Sequence, residues 1–148
     1  MPTEGKRKTI FLVEDNLGDI RLIQEALKST AVDCDIAIAR DGIDAMAYLR
    51  RQGNDREARL PDLILLDLNL PRKDGREVLA EIKADPGLRH IPVVVLTTSR
   101  NEEDICKSYD LHVNCYISKS RNLSQLFQIV RGIEEFWLET VALPSLDR

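Results

Sequence analysis

Four consecutive aliphatic residues, Leu63-Ile64-Leu65-Leu66, run directly into a carboxylate, Asp67. A wholly apolar run this short reads as a strand buried on both faces, as the strands of parallel sheets are. The residues that follow contain Pro71, which has no amide hydrogen for a sheet ladder, and Asp74-Gly75, where Asp74 is an expected helix N-cap. In open parallel sheets, ligands bind in the crevice beyond the carboxyl ends of the strands. Asp67 therefore stands where an acid can do chemistry, although a lone acid there serves equally well as a loop cap. The decision rests on what other strands bring to the same edge.

Apolar runs alternate with helical spacings along the rest of the chain. Thr9–Val13 reads as a first strand and ends at Glu14-Asp15-Asn16. A helix follows with Leu17, Ile20, Ile23, Ala26 and Leu27 at helical spacing. Cys34–Ala39 reads as a second strand, Asp41-Gly42 as a turn, and Ile43, Ala45, Met46, Tyr48 and Leu49 as a second helix ending near Gly53. The third helix runs from about Asp74 to Ala84 and stops at Asp85-Pro86-Gly87. Val93–Thr97 is a fourth strand, and a fourth helix starts near Asn101 with Glu102, Glu103 and Asp104 placed favourably for its dipole. Asn114–Ser118 is a fifth strand, and a fifth helix runs from Asn122 beyond Trp137. Five βα units predict an α/β fold, a parallel sheet with right-handed crossovers and helices on both faces.

Composition narrows the function. The chain has 148 residues, enough for one domain with a real core, and 31% of them are charged. A net charge of −4 leaves no electrostatic footprint for nucleic acid. No apolar run is long enough to span a bilayer, and the polar start, Met1 to Lys8, does not resemble a secretory leader. Cys34, Cys106 and Cys115 are odd in number and form no C-x-x-C pair, which points to reduced thiols in the cytoplasm rather than to disulfides or zinc.

In the predicted topology, strand one brings Glu14 and Asp15 to the carboxyl edge, strand three Asp67, strand four Thr97, and strand five Lys119 just beyond its end. Clustered carboxylates stay ionised only with a cation among them. All-oxygen donors favour Mg²⁺. A carboxylate beside such a metal can attack a phosphoryl group, and Lys119 with Mg²⁺ would neutralise the charge in transit. A Thr97 hydroxyl that bonds the phosphoryl oxygen would bias a two-state loop. Taken singly, Lys119 is a solvated lysine, Thr97 a strand former and Glu14-Asp15 a turn; arriving together at matching strand ends, they make a site.

These residues resemble the receiver domain of two-component response regulators: Glu14-Asp15 as the acidic pair, Asp67 as phospho-acceptor, Pro71 and Asp74-Gly75 in its loop, Thr97 as switch hydroxyl, Tyr116 as switch aromatic and Lys119 as the family's lysine. The resemblance implies a doubly wound (βα)5 flavodoxin-like sheet of order 2-1-3-4-5. It assigns 8–138 to the receiver domain, 1–7 to an N-terminal extension and 139–148 to a tail. It implies a signalling module rather than an enzyme, with Mg²⁺ on Asp15, Asp67 and the backbone carbonyl of Asn69, and Glu14 acting mainly through water. The family pattern has proline after its lysine; Ser120 stands there instead and removes the preference for a cis bond. The segments Leu96–Ser99, Tyr109–Tyr116 and Ile133–Leu138 further resemble the small response regulators paired with cyanobacterial phytochromes, which implies a phytochrome histidine kinase as partner.

On the fifth helix, Leu123, Leu126, Phe127, Val130, Ile133 and Trp137 form a core stripe, leaving Ile129, Phe136 and Leu138 to one side. The expectation is a homodimer through helix four, strand five and helix five, with Ile105, Tyr109, Ile129, Phe136, Trp137 and Leu138 at the interface. Two rivals are weaker. A haloacid-dehalogenase-like phosphatase wants a second aspartate two residues after the nucleophile, where Asn69 stands. A flavodoxin-like flavin binder wants a hydroxyl- and glycine-rich phosphate loop after strand one, where Glu14-Asp15-Asn16 would repel phosphate.

Overall fold

The computed structural model describes residues 8–28, 34–54, 60–98, 105, 109–110, 113, 115–119, 128 and 131–132. Its elements are β1 (Lys8–Val13), α1 (Leu17–Lys28), β2 (Cys34–Ala39), α2 (Gly42–Asn54), β3 (Leu63–Leu66), α3 (Gly75–Ala84), β4 (Val93–Thr97) and β5 (Cys115–Ser118). The strands form one sheet in the order β2-β1-β3-β4-β5. Every neighbouring pair is parallel, in register Phe11↔Ile64, Leu65↔Val94 and Leu96↔Ile117 across the centre. The predicted α/β architecture and strand order are therefore present, with β1 starting one residue earlier than expected.

The wholly apolar strands follow from a sheet covered on both sides. Alternate side chains go to opposite faces. Phe11, Val13, Ile64, Leu66, Val93 and Val95 pack with Met46 and Leu49 of α2 and Val78, Leu79 and Ile82 of α3. Ile10, Leu12, Leu63, Leu65, Val94 and Leu96 pack with Ile20, Ile23, Ala26 and Leu27 of α1. Phe11 also stacks on Tyr48, ring centroids 4.4 Å apart. The central strands β3 and β4 are buried throughout, so an interior polar residue would lose water whichever face it pointed to.

Two apolar residues at helical spacing stay in contact with water. Leu17 is 57% exposed and Ile43 is 43% exposed. Each stands in the first turn of its helix, just past the end of the preceding strand. Asp74 is the N-cap of α3 as predicted, its carboxylate accepting from the Arg76 amide at 2.7 Å. Ile105, Tyr109 and Asp110 are helical, as are Gln128, Arg131 and Gly132. The remainder of the fourth and fifth predicted helices, with Ile129, Phe136, Trp137 and Leu138, lies outside the described residues, as does Ser120. No helix among the described residues is long and apolar enough to cross a membrane.

Candidate functional site at the strand ends

The sheet ladder continues one rung past the strands, and this places the site. The Glu14 amide donates to the Ala39 carbonyl at 3.0 Å, the Asp67 amide to Val13 at 3.0 Å and the Lys119 amide to Thr97 at 2.6 Å. Glu14, Asp67 and Lys119 are thus held by a neighbouring strand, not by a loose loop. Thr97, the last residue of β4, is fully buried; Glu14, Asp67 and Lys119 are 1%, 6% and 4% exposed.

Buried charges must be paired. The Lys119 ammonium donates to three carboxylates, Glu14 Oε1 at 2.5 Å, Asp19 Oδ2 at 2.8 Å and Asp67 Oδ2 at 3.1 Å. Burial alone would make that amine easier to deprotonate. The attraction of Glu14, Asp19 and Asp67 outweighs it and holds the proton more firmly than in free lysine. Glu14 is pushed the other way: burial, and then the charge of Asp67, raise it to about 7 against the pull of Lys119.

Asp67 is fixed on its other oxygen. Oδ1 accepts the Thr97 hydroxyl at 2.7 Å and the Asn69 amide at 3.0 Å. The Asn69 side-chain amide donates on toward Thr97 at 3.4 Å and Thr98 at 3.5 Å. The loop behind is closed by the Gly75 amide on the Leu68 carbonyl at 3.0 Å. Gly75 is required there by space: a Cβ would run into the Asp67 carbonyl and Leu68. Arg72, in the same loop, has φ 68° and its guanidinium meets Asp41 at 3.0 Å. The amide of Asp44 and, after it, this guanidinium hold the Asp41 carboxyl below the usual range.

Carboxylate oxygens of Glu14, Asp15 and Asp67 all lie within 4.8 Å of one another. An all-oxygen set of this charge fits a hard divalent cation bound by few protein ligands and water. The ion pair to Lys119 is the cluster's own partial neutralisation.

The structure brings together Glu14, Asp15, Asp67, Thr97 and Lys119, the set expected from sequence. Tyr116 is half-buried against the core on the α2–α3 side. Tyr109 is 50% exposed. Asp19 was not anticipated as part of the site. Its sequence signal is an acid in the first turn of α1, which reads locally as a dipole or capping residue.

A family model described as the response regulator receiver domain matches residues 10–131. The chain belongs to this family. It is 62% identical over 138 residues to response regulator Rcp1 of Synechocystis sp., covering 93% of this chain and 94% of that one. The crystal structure of the phosphorylated cyanobacterial phytochrome response regulator RcpA superposes with TM-score 0.89 at 70% identity, over 95% of this chain and 100% of that chain. The Mn²⁺-bound form of Rcp1 gives TM-score 0.88 over 93% and 99%. The receiver fold is thus a signalling fold with a divalent-cation site in a relative, and the acid cluster stands ready for one here.

Proposed function

We propose that Asp67 accepts a phosphoryl group from the phosphohistidine of a sensor kinase, and that the kinase is a phytochrome. One carboxylate oxygen attacks phosphorus, the P–N bond breaks, and its electron pair leaves on the imidazole. The observation that carries this is the setting of Asp67: one oxygen held by Thr97 and Asn69, the other by Lys119, with Glu14 and Asp15 beside it. A bound Mg²⁺ would neutralise charge on the group in transit. Asp15, Asp67 and the Asn69 carbonyl would hold it, with Glu14 acting through water. Lys119 supplies the other positive charge. When Asp67 is phosphorylated, the Thr97 hydroxyl turns to the phosphoryl oxygen, and Tyr116 follows into the space it leaves.

The phytochrome assignment rests on the likeness to Rcp1 and RcpA. The output is a changed surface for a partner, or phosphotransfer to one, in the cytoplasm. A homodimer through Ile105, Tyr109, Ile129, Phe136, Trp137 and Leu138 is part of this reading, supported by the exposure of Tyr109. Treatment with acetyl phosphate and Mg²⁺, read by intact mass, should add one phosphoryl group. Addition should vanish with EDTA and in Asp67→Asn. Modification that persists in Asp67→Asn would defeat the assignment.

A further inference from the structure

The amine of Lys119 has three N–H bonds and meets three carboxylates, but these are not equivalent. Glu14 and Asp67 belong to the acid cluster that can hold a cation; Asp19 does not. A cation in the cluster and a phosphoryl group on Asp67 would both draw on the oxygens Lys119 now uses. Asp19 alone stays uncontested.

The start of α1 aims Asp19 at this task. Asn16 caps the helix: its carbonyl accepts from the Ile20 amide at 2.9 Å and its Oδ1 from the Asp19 amide at 3.0 Å. In a capping box the acid at the third helical position reaches back to the amide of the cap. Here that amide donates instead to Glu14 Oε2 at 3.2 Å. The Asp19 carboxylate is thereby released from local duty and crosses to Lys119, 100 positions away in the chain. Its side chain is 22% exposed against 3% for Lys119, it borders an open groove with Asn16, Arg21 and Glu25, and it lies at a helix N-terminus.

We propose that Asp19 is a positioning residue for Lys119, anchoring the ammonium from the α1 side so that it keeps its place when Glu14 and Asp67 are engaged by cation and phosphoryl group. This deepens the reading of Asp67 as phospho-acceptor and rests on it. Without Asp19, the amine falls back on Glu14 and Asp67, competes with the cation for them, and sits wrongly for the phosphoryl oxygen.

The test uses the full chain with Asp19→Asn, which keeps size and loses charge, and Asp19→Glu, which restores charge. The ¹⁵N-ammonium resonance of Lys119, assigned through Lys119→Arg, should be sharp in the wild type and broaden or vanish in Asp19→Asn. The rate of phosphoryl uptake from acetyl phosphate at saturating Mg²⁺ should fall about tenfold, the scale of one charge-assisted hydrogen bond, and recover in part with Asp19→Glu. Mn²⁺ affinity, followed by its EPR signal, should fall as well. A loss of Mn²⁺ affinity with an unchanged rate at saturating Mg²⁺ would make Asp19 a contributor of bulk charge and overturn the proposal. So would an ammonium resonance indifferent to Asp19→Asn. If Asp67 were not the acceptor, the wild type and Asp67→Asn would behave alike, while the resonance and Mn²⁺ arms would still report on Asp19.

Discussion

The bodies of the strands and their tips are equally dry and chemically opposite. Val13, Leu66 and Leu96 are 0–2% exposed, and the residues just beyond the first two, Glu14 and Asp67, are 1% and 6% exposed. Burial of the aliphatic residues is favourable whatever surrounds them, at about 25 cal/mol per Å² of apolar surface. Burial of Glu14, Asp67 and Lys119 is tolerable only because each has the others. The bodies are therefore unconditional and the tips conditional. A conditional site is what a switch needs, since one bond formed on Asp67 alters every partner around it.

The sharpest way to break this comparison is to remove one charge. Lys119→Met keeps a long apolar stem but leaves Glu14, Asp19 and Asp67 without their cation, and should cost about 3–5 kcal/mol at neutral pH. Leu65→Ala, which removes aliphatic bulk on the α1 side, should cost a similar amount, about 2–5 kcal/mol. Urea denaturation separates them through pH. The Leu65→Ala loss should hold steady on acidification, whereas the Lys119→Met loss should shrink as Glu14 takes up its proton. A small, pH-independent loss for Lys119→Met would mean that water enters the tips freely.

The next test is smaller and concerns sign. Glu14 titrates near 7 in the folded chain, against 4.5 for a free glutamate, because of burial and then Asp67. An acid that keeps its proton longer folded than unfolded destabilises the fold as pH rises from the lower value to the higher. Without divalent cation, Glu14→Gln should therefore gain stability relative to wild type between pH 5 and 7, by at most about 3 kcal/mol, and hold that gain above pH 7. Excess Mg²⁺ should reduce the gain by favouring the carboxylate. A relative stability that stays flat across this range would place Lys119 in full control of Glu14.

Much of this was legible in the residues because the fold writes its two regions differently. Leu63–Leu66 and Val93–Thr97 announce buried parallel strands by having no polar alternation. Asp67 stands out because it ends an apolar run, and Lys119 because it follows the end of a strand. Asp74-Gly75 was readable as a helix start, but the need for Gly75 was not, since it comes from the approach of the Asp67 carbonyl. Arg72 was unreadable too: nothing local marks an arginine for a left-handed backbone, which a distant Asp41 helps to hold. Asp19 was missed for the same reason. Periodicity sees neighbours three or four residues away, and the partner of Asp19 comes from the far end of the chain.

Leu17 and Ile43 show that helical spacing alone does not decide burial. The smallest prediction tests that distinction. Leu17 and Ile20 lie on one helix, yet Leu17 is 57% exposed and Ile20 is 5% exposed. Ile20→Ala opens the cluster shared with Ile10, Leu12 and Leu65 and should cost about 2–4 kcal/mol. Leu17→Ala removes a side chain that water already reaches and should change stability by less than about 0.5 kcal/mol. Thermal or urea unfolding of the two variants side by side decides it. A Leu17→Ala loss near that of Ile20→Ala would mean that other parts of the chain cover the first turn of α1, and the boundary between unconditional body and conditional tip would have to be drawn one turn further out.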